Sequence, residues 1–107
     1  MKKFLVSFFL IVVIGFTGTQ SWVDRLAKFE SQNTPIIKKL DKNGKYSYGC
    51  LQFQKRTFDS VSKRYKLEGN IYDCEFQRKL ATKMIEEDPN NCKHWKAAVR
   101  AIGRPDK

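Results

Sequence analysis

The chain has 107 residues, which is enough for one small domain and too few for two domains of ordinary size. It carries 21 Lys and Arg residues against 11 Asp and Glu residues, a formal net charge of +10 at pH 7. Three anionic partners would suit such a charge: nucleic acid, anionic lipid and the polymers of a bacterial cell wall. A solubilising surface charge without a dedicated partner is the alternative.

The first 19 residues have the layout of a secretory signal peptide. Lys2 and Lys3 precede an uncharged apolar run at residues 4–16, and small and polar residues follow at 17–20. The run is shorter than the ~20 apolar residues of a membrane-spanning helix. We therefore predict a signal peptide at residues 1–19, a mature domain at residues 20–107, and export to the periplasm, the cell surface or the medium. Retention of the leader as an N-terminal anchor is the alternative. Export makes nucleic acid the least favoured partner, so the sequence predicts no nucleic-acid binding.

Hydrophobic periodicity predicts four helices after the leader. The first is capped by Ser21, and its inward face contains Trp22, Val23, Leu26, Ala27 and Phe29. The second begins near Thr57 and is ended by Gly69. The third is capped by Asp73 and ended by Asp88-Pro89, and the fourth runs from about Cys92 to Ile102.

The run Asp41-Lys42-Asn43-Gly44 is the clearest turn signal in the sequence, because Asn and Gly tolerate positive φ. It predicts a short hairpin from about Leu40 to Tyr48. Four to five helices with one hairpin predict a mainly α domain of the small α+β kind.

The cysteine count is odd, since the chain contains Cys50, Cys74 and Cys92. One disulfide and one remaining thiol are the default in an exported protein. Cys50 lies in an apolar run and is interpreted as a buried thiol, which leaves a predicted Cys74–Cys92 disulfide. The cysteines and the single His94 lack the pairwise spacing of metal ligands, so no metal site and no cofactor are predicted.

Glu30 is the candidate catalytic residue, because it stands at the end of an apolar helix face. Desolvation there would penalise the charged carboxylate, so Glu30 would hold its proton at neutral pH and could act as a general acid. A solvated glutamate at a helix end is the alternative interpretation.

Glu30-Ser31, a loop containing Pro35, and the run Tyr48-Gly49-Cys50-Leu51-Gln52-Phe53 follow each other in an order known from one enzyme family. They resemble the Glu-Ser … Tyr-Gly-Leu-Met-Gln-Ile pattern of the lysozyme-like SLT (soluble lytic transglycosylase) domains. The turn at residues 43–49 is also similar to the Asn-x-Gly-Ser-Thr-Asp-Tyr-Gly turn of c-type lysozymes. The resemblance spans roughly residues 22–102. It implies a lysozyme-like fold and peptidoglycan glycan strands as the substrate.

In this resemblance Glu30 would protonate the oxygen between N-acetylmuramic acid and N-acetylglucosamine. It would then deprotonate the muramyl 6-hydroxyl, which closes a 1,6-anhydro ring. Ser31, Ser47, Tyr48 and Gln52 are the residues that the resemblance places at the substrate. Each of three residues also has a purely structural interpretation. Ser31 would cap the helix end, Gln52 would be a satisfied buried amide, and Tyr48 would pack across the strands.

The c-type lysozymes carry a second carboxylate immediately before Tyr-Gly, and here that position is Ser47. This departure favours a transglycosylase, which works with one Glu, over a lysozyme-type hydrolase. Asp41 lies in the intervening loop and would serve as the second carboxylate if the loop curls back. The third hypothesis is a non-catalytic cationic domain that binds cell-wall glycan or anionic cell-wall polymers. We expect a monomer in each case.

Overall fold

The computed structural model describes residues 18–34 and 37–105, so residues 1–17 of the predicted signal peptide lie outside the described part. The described elements, in chain order, are α1 (Thr19–Ser31), β1 (Lys38–Leu40), β2 (Tyr46–Tyr48), β3 (Phe53–Gln54), α2 (Lys55–Tyr65), α3 (Cys74–Glu87), a 3₁₀ helix (Pro89–Trp95) and α4 (Lys96–Ile102). They form an α+β domain, as the sequence predicts. Within the described ranges, no helix has both the length and the apolar character needed to cross a bilayer.

The predicted hairpin is present as β1 and β2, and β3 adds a third antiparallel strand to its other edge. Asp41 closes the hairpin, since its backbone N–H donates to Lys45 O (2.8 Å) and its carbonyl accepts from Gly44 N (3.0 Å). Ser47 pairs with Lys39 on one side and with Gln54 on the other. This register places three polar side chains on one face of the sheet.

The core lies between α1, α3 and the segment that carries the 3₁₀ helix and α4. Trp22 and Leu26 of α1 are completely buried, and so are Leu51 and Leu80. The rings of Trp22 and Trp95 meet edge to face, with their centroids 6.2 Å apart.

The predicted helix ends need three corrections. Helix α1 begins two residues before Ser21. Helix α2 ends at Tyr65, four residues before Gly69, because Lys66 takes a left-handed conformation (φ 56°) and Leu67 folds back onto the core. The predicted fourth helix is wrong in its first half, where Asp88 and Pro89 start a 3₁₀ helix instead. Asp73 caps α3 as predicted and accepts bonds from Glu75 N and Phe76 N.

Phe29 is also not part of the inward face, since 45% of its surface is exposed. The buried rows of α1 are Trp22–Leu26 and Val23–Ala27, four residues apart in each row. The next residues in these rows are Glu30 and Ser31, so Phe29 falls at the edge of the buried face.

The predicted Cys74–Cys92 disulfide is wrong. The bond joins Cys50 to Cys74, and Cys92 is a free, buried thiol. Cys92 lies in the 3₁₀ helix after the far end of α3, whereas Cys50 follows β2 and lies beside the start of α3. The disulfide therefore ties the segment after β2 to the N-terminus of α3.

Candidate functional site

Glu30 is the last carboxylate of α1 and continues the buried Trp22–Leu26 row. It is only partly exposed. Helix α1 stops directly after it, because Gln32 and Asn33 both take left-handed conformations (φ 54° and 63°). The buried face of the helix thus ends on a carboxyl group.

Burial is the main reason why the pKa of Glu30 is raised from 4.5 to about 7. The positive charge of Lys39 opposes this shift, and the negative charge of Asp41 adds to it. Glu30 therefore exchanges its proton near neutral pH, as the sequence argument expects. The effect of Asp41 on this pKa also shows that the hairpin brings a second carboxylate towards Glu30.

Ser31 anchors the end of α1. Its buried hydroxyl donates to the Cys50 carbonyl at 2.7 Å and accepts from Thr34 N at 3.1 Å. These bonds fix Glu30 relative to the segment after β2. Ser31 thus positions the candidate acid through the backbone.

We call the segment at residues 48–52 the floor. Side chains from three helices hold its carbonyl groups in place. Gln77 Nε2 donates to Tyr48 O at 2.8 Å, Ser31 binds Cys50 O, and Trp95 Nε1 donates to Leu51 O at 2.9 Å. Each donor is buried. The floor is therefore rigid, although it contains little regular secondary structure.

Gly49 is required at the floor for two reasons. It has a positive φ of 76°, and a Cβ at this position would overlap Gln77 Nε2. Gln77 cannot move away, because its Oε1 accepts from Leu51 N at 2.7 Å. Tyr48, Gly49 and the distant Gln77 thus form one packed unit.

Asp41 lies on the same sheet face as Ser47 and Gln54. Its Oδ2 accepts a hydrogen bond from the Ser47 hydroxyl and another from Gln54 Nε2 at 2.7 Å. Ser47 is only 4% exposed, and its hydroxyl is used by the hydrogen bond to Asp41. A carboxylate from the turn thus lies against the position where c-type lysozymes carry theirs.

Asp41, Ser47 and Gln54 line a cavity of about 270 Å³, which we call the site cavity; Glu30 is not among its lining residues. Its polar lining comprises Asp41, Ser47, Gln52, Gln54, Thr57 and His94. Gln52 donates from Nε2 to Gly49 O at 2.9 Å, while its buried Oε1 has no partner among the described residues. Gln52 therefore lines the cavity and keeps one buried acceptor without a partner.

Sequence reasoning did not assign Gln54, Thr57 and His94 to the site. Gln54 could have been found from the alternation of strand residues after Gln52. His94 comes from a distant part of the chain, and burial lowers its pKa, so the ring is neutral at pH 7. No local signal connects it to the hairpin.

Tyr48 lies on the opposite face of the sheet from Ser47, because neighbouring residues of a strand point to opposite sides. Its ring packs edge to face against Tyr72, with centroids 5.7 Å apart, and lies 6.4 Å from the ring of Tyr46. The structure therefore brings Asp41, Ser47 and Gln52 together at the site cavity, and the charge of Asp41 reaches Glu30. Ser31 binds the backbone at Cys50, and Tyr48 lies on the other face of the sheet.

Comparisons with protein-family models, with curated proteins and with solved structures find no match to this chain. In the described ranges, no group of three or more His, Cys, Asp and Glu side chains is arranged to hold a metal ion.

Proposed function

We propose that this chain is an exported enzyme that cleaves the glycan strands of peptidoglycan, as a lytic transglycosylase with Glu30 as its acid and base. The observation that carries the proposal is the half-buried Glu30, which ends α1 within reach of the charge of Asp41 and has a pKa of about 7. A group with this pKa can donate a proton in one step and accept one in the next at neutral pH. Both steps are required of a single residue in a transglycosylase.

In the proposed reaction, protonated Glu30 gives its proton to the glycosidic oxygen as the bond to the muramyl carbon breaks. Positive charge develops on that carbon and on the ring oxygen. The Glu30 carboxylate then takes the proton of the muramyl 6-hydroxyl, whose oxygen bonds to the carbon and closes the anhydro ring. Glu30 ends the cycle protonated, so no water is consumed.

Two neighbouring groups support substrate binding at this site. Gln52 lines the site cavity, and its buried Oε1 is an acceptor without a partner among the described residues. Asp41 is held in place by Ser47 and Gln54, and its negative charge would stabilise the developing positive charge. The Cys50–Cys74 disulfide supports export, since such bonds persist in oxidising compartments.

Hydrolysis is the second candidate, and Asp41 is the observation that favours it. Its charge acts on Glu30, and its carboxylate is oriented by two hydrogen bonds. A carboxylate in such a position could activate water or form a glycosyl intermediate, as in hydrolases with two carboxylates. The two candidates share Glu30 as the acid and differ in the nucleophile.

Mass analysis of the products from purified peptidoglycan separates the two candidates. Transglycosylation gives muropeptides that end in 1,6-anhydro-N-acetylmuramic acid, which are lighter by one water than hydrolysis products. We expect anhydro ends from the wild type and from Asp41→Asn, because this mechanism needs no second carboxylate as a nucleophile or base. Reducing ends only, together with inactivity of Asp41→Asn, would instead establish hydrolysis. Intact glycan after incubation with the wild type would exclude both activities.

A further inference from the structure

The 3₁₀ helix and α4 carry a second groove, which we call the basic groove. It has a volume of about 210 Å³ and is lined by Cys92, Lys93, Lys96, Val99, Arg100 and Arg104. None of these residues lines the site cavity. From residue 93 to residue 104 the chain has four basic residues and no acidic one. The basic groove is therefore a separate, strongly positive surface.

Among the described residues, no ion pair neutralises the charges of the basic groove. Across residues 18–34 and 37–105, the ion pairs are Lys55–Asp59, Arg64–Glu87 and Arg78–Asp24. None of them involves the groove. Unpaired charges of one sign along a concave surface concentrate the electrostatic potential there and attract polyanions.

The backbone that carries these charges is held by long-range contacts. Trp22 Nε1 donates to Gly103 O at 2.9 Å, and Arg25 Nη1 donates to Ile102 O at 3.4 Å. Arg104 Nη2 donates to Asn90 Oδ1 at 2.7 Å. Because the end of α4 is fixed against α1, the backbone positions that carry the cations are set before binding, which lowers the entropy cost of binding.

We propose that the basic groove binds a linear phosphodiester polymer of the cell wall. Lys and Arg side chains form charge-assisted hydrogen bonds to phosphate oxygens. Lys96 and Arg100 lie one helical turn apart, about 6 Å, so both can contact one chain of phosphates. The binding does not depend on cleavage by Glu30 and can be measured without it.

Two other polyanions fit the groove less well. Single-stranded nucleic acid is bound by stacking its bases on aromatic rings, and the lining residues include no aromatic side chain. An anionic membrane requires apolar side chains that insert beside the charges. The large apolar side chains exposed in the described part are Phe29, Leu40, Tyr46 and Tyr72, and all lie outside residues 92–104.

The test measures binding of a fluorescent oligomer of about ten glycerol phosphate units to the wild-type protein over a range of salt concentrations. The groove variant carries Lys93→Gln, Lys96→Gln, Arg100→Gln and Arg104→Gln, all at exposed positions. The control variant loses the same charge at four other exposed positions, through Lys63→Gln, Lys66→Gln, Lys79→Gln and Lys83→Gln. Circular dichroism and thermal midpoints verify that both variants fold.

We expect the groove variant to lose at least tenfold in affinity at 0.1 M salt. Its slope of log affinity against log salt should fall by about 3, which is the value for four lost phosphate contacts at about 0.7 each. The control variant should lose less than threefold. Equal losses in both variants would overturn the proposal in favour of diffuse charge. Tighter groove-dependent binding to a thymidine oligomer or to phosphatidylglycerol vesicles would overturn the choice of polymer.

Discussion

Two carboxylates at opposite sides of the domain have opposite environments. Glu30 ends the buried face of α1, and burial raises its pKa to about 7. Glu87 ends α3 at the surface, where hydrogen bonds from Arg64 and Tyr65 lower its pKa. Arg64 Nη2 lies 2.8 Å from Glu87 Oε2, and Tyr65 Oη lies 2.9 Å from Oε1.

The two sites differ in whether the hydrogen-bond donors nearby reach the carboxylate itself. At Glu87 the partners are side chains that reach the carboxylate itself and favour its charged form. At Glu30 the nearby Ser31 hydroxyl binds a backbone carbonyl instead of the carboxyl group, and burial outweighs the opposing charge of Lys39. A glutamate at a helix end thus becomes a candidate acid where burial outweighs the interactions that stabilise its charge.

The largest expected effect is on catalysis. Glu30→Gln keeps the shape of the side chain and removes its transferable proton, so peptidoglycan cleavage should fall by about 10² to 10⁴. Glu87→Gln is the matched control and should retain at least half of the activity. Loss of turbidity of a wall suspension measures both. Comparable activity in the two variants would remove Glu30 from the mechanism.

The floor of the Glu30 site can be disrupted at Gly49. Gly49→Ala should reduce the free energy of unfolding by about 3 to 4 kcal/mol, because the new Cβ is both overpacked and at positive φ. The methyl group would overlap Gln77 and come within 2.8 Å of Ile71 O. Gly44→Ala has a similar φ of 81° but open space, so it should cost about 1 to 2 kcal/mol. Urea denaturation compares them, and equal costs would contradict the packing argument.

The Cys50–Cys74 disulfide ties the same floor to α3. Its residues are separated by 24 positions, so its reduction should lower the free energy of unfolding by about 3 kcal/mol on the chain-entropy estimate. A Cys74→Ala variant should be less stable from the start and insensitive to dithiothreitol. Peptide mapping of the unreduced protein should recover this pair, with Cys92 alkylated only after unfolding. A mapped Cys74–Cys92 bond would refute the assignment.

The smallest expected effects concern the pH dependence of stability, which should have opposite signs for Glu30 and Glu87. The pKa of Glu30 is higher in the folded than in the unfolded protein. Its protonated form therefore contributes stability that is fully present below about pH 4.5 and is lost as the pH rises through about 7. Glu30→Gln should therefore match the wild type at pH 4 and exceed it at pH 8. The full shift corresponds to about 3 kcal/mol, which solvent screening of this half-buried group reduces to about 1 to 2 kcal/mol.

Glu87 should behave in the opposite sense, because its folded pKa is lowered. Its contribution is present above the unfolded pKa and is lost as the pH falls, so Glu87→Gln should be slightly less stable than the wild type at pH 7 and equal to it in acid. Thermal midpoints recorded from pH 4 to pH 8 test both variants. Slopes of the same sign would contradict the contrast between the two environments.

Local patterns in the sequence were enough to predict several parts of the fold and site. The apolar face of α1 leads to Glu30, Asp73 has the residue type and position of a helix cap, and Asn43-Gly44 favours a turn. Each of these features is determined by residues within a few positions, so its energetics can be judged without the fold. The conclusion that Glu30 should hold its proton follows from the same local pattern.

Only the tertiary structure decided which distant groups meet. The sequence places Ser47 where a carboxylate was expected, but the curl of the hairpin brings Asp41 against Ser47 and towards Glu30. Three other features also depend on how the elements pack: Cys50 pairs with Cys74, His94 lines the site cavity, and Phe29 is exposed. Sequence patterns determine which face of an element is apolar, whereas the partner of that face is selected by packing the whole chain into one core.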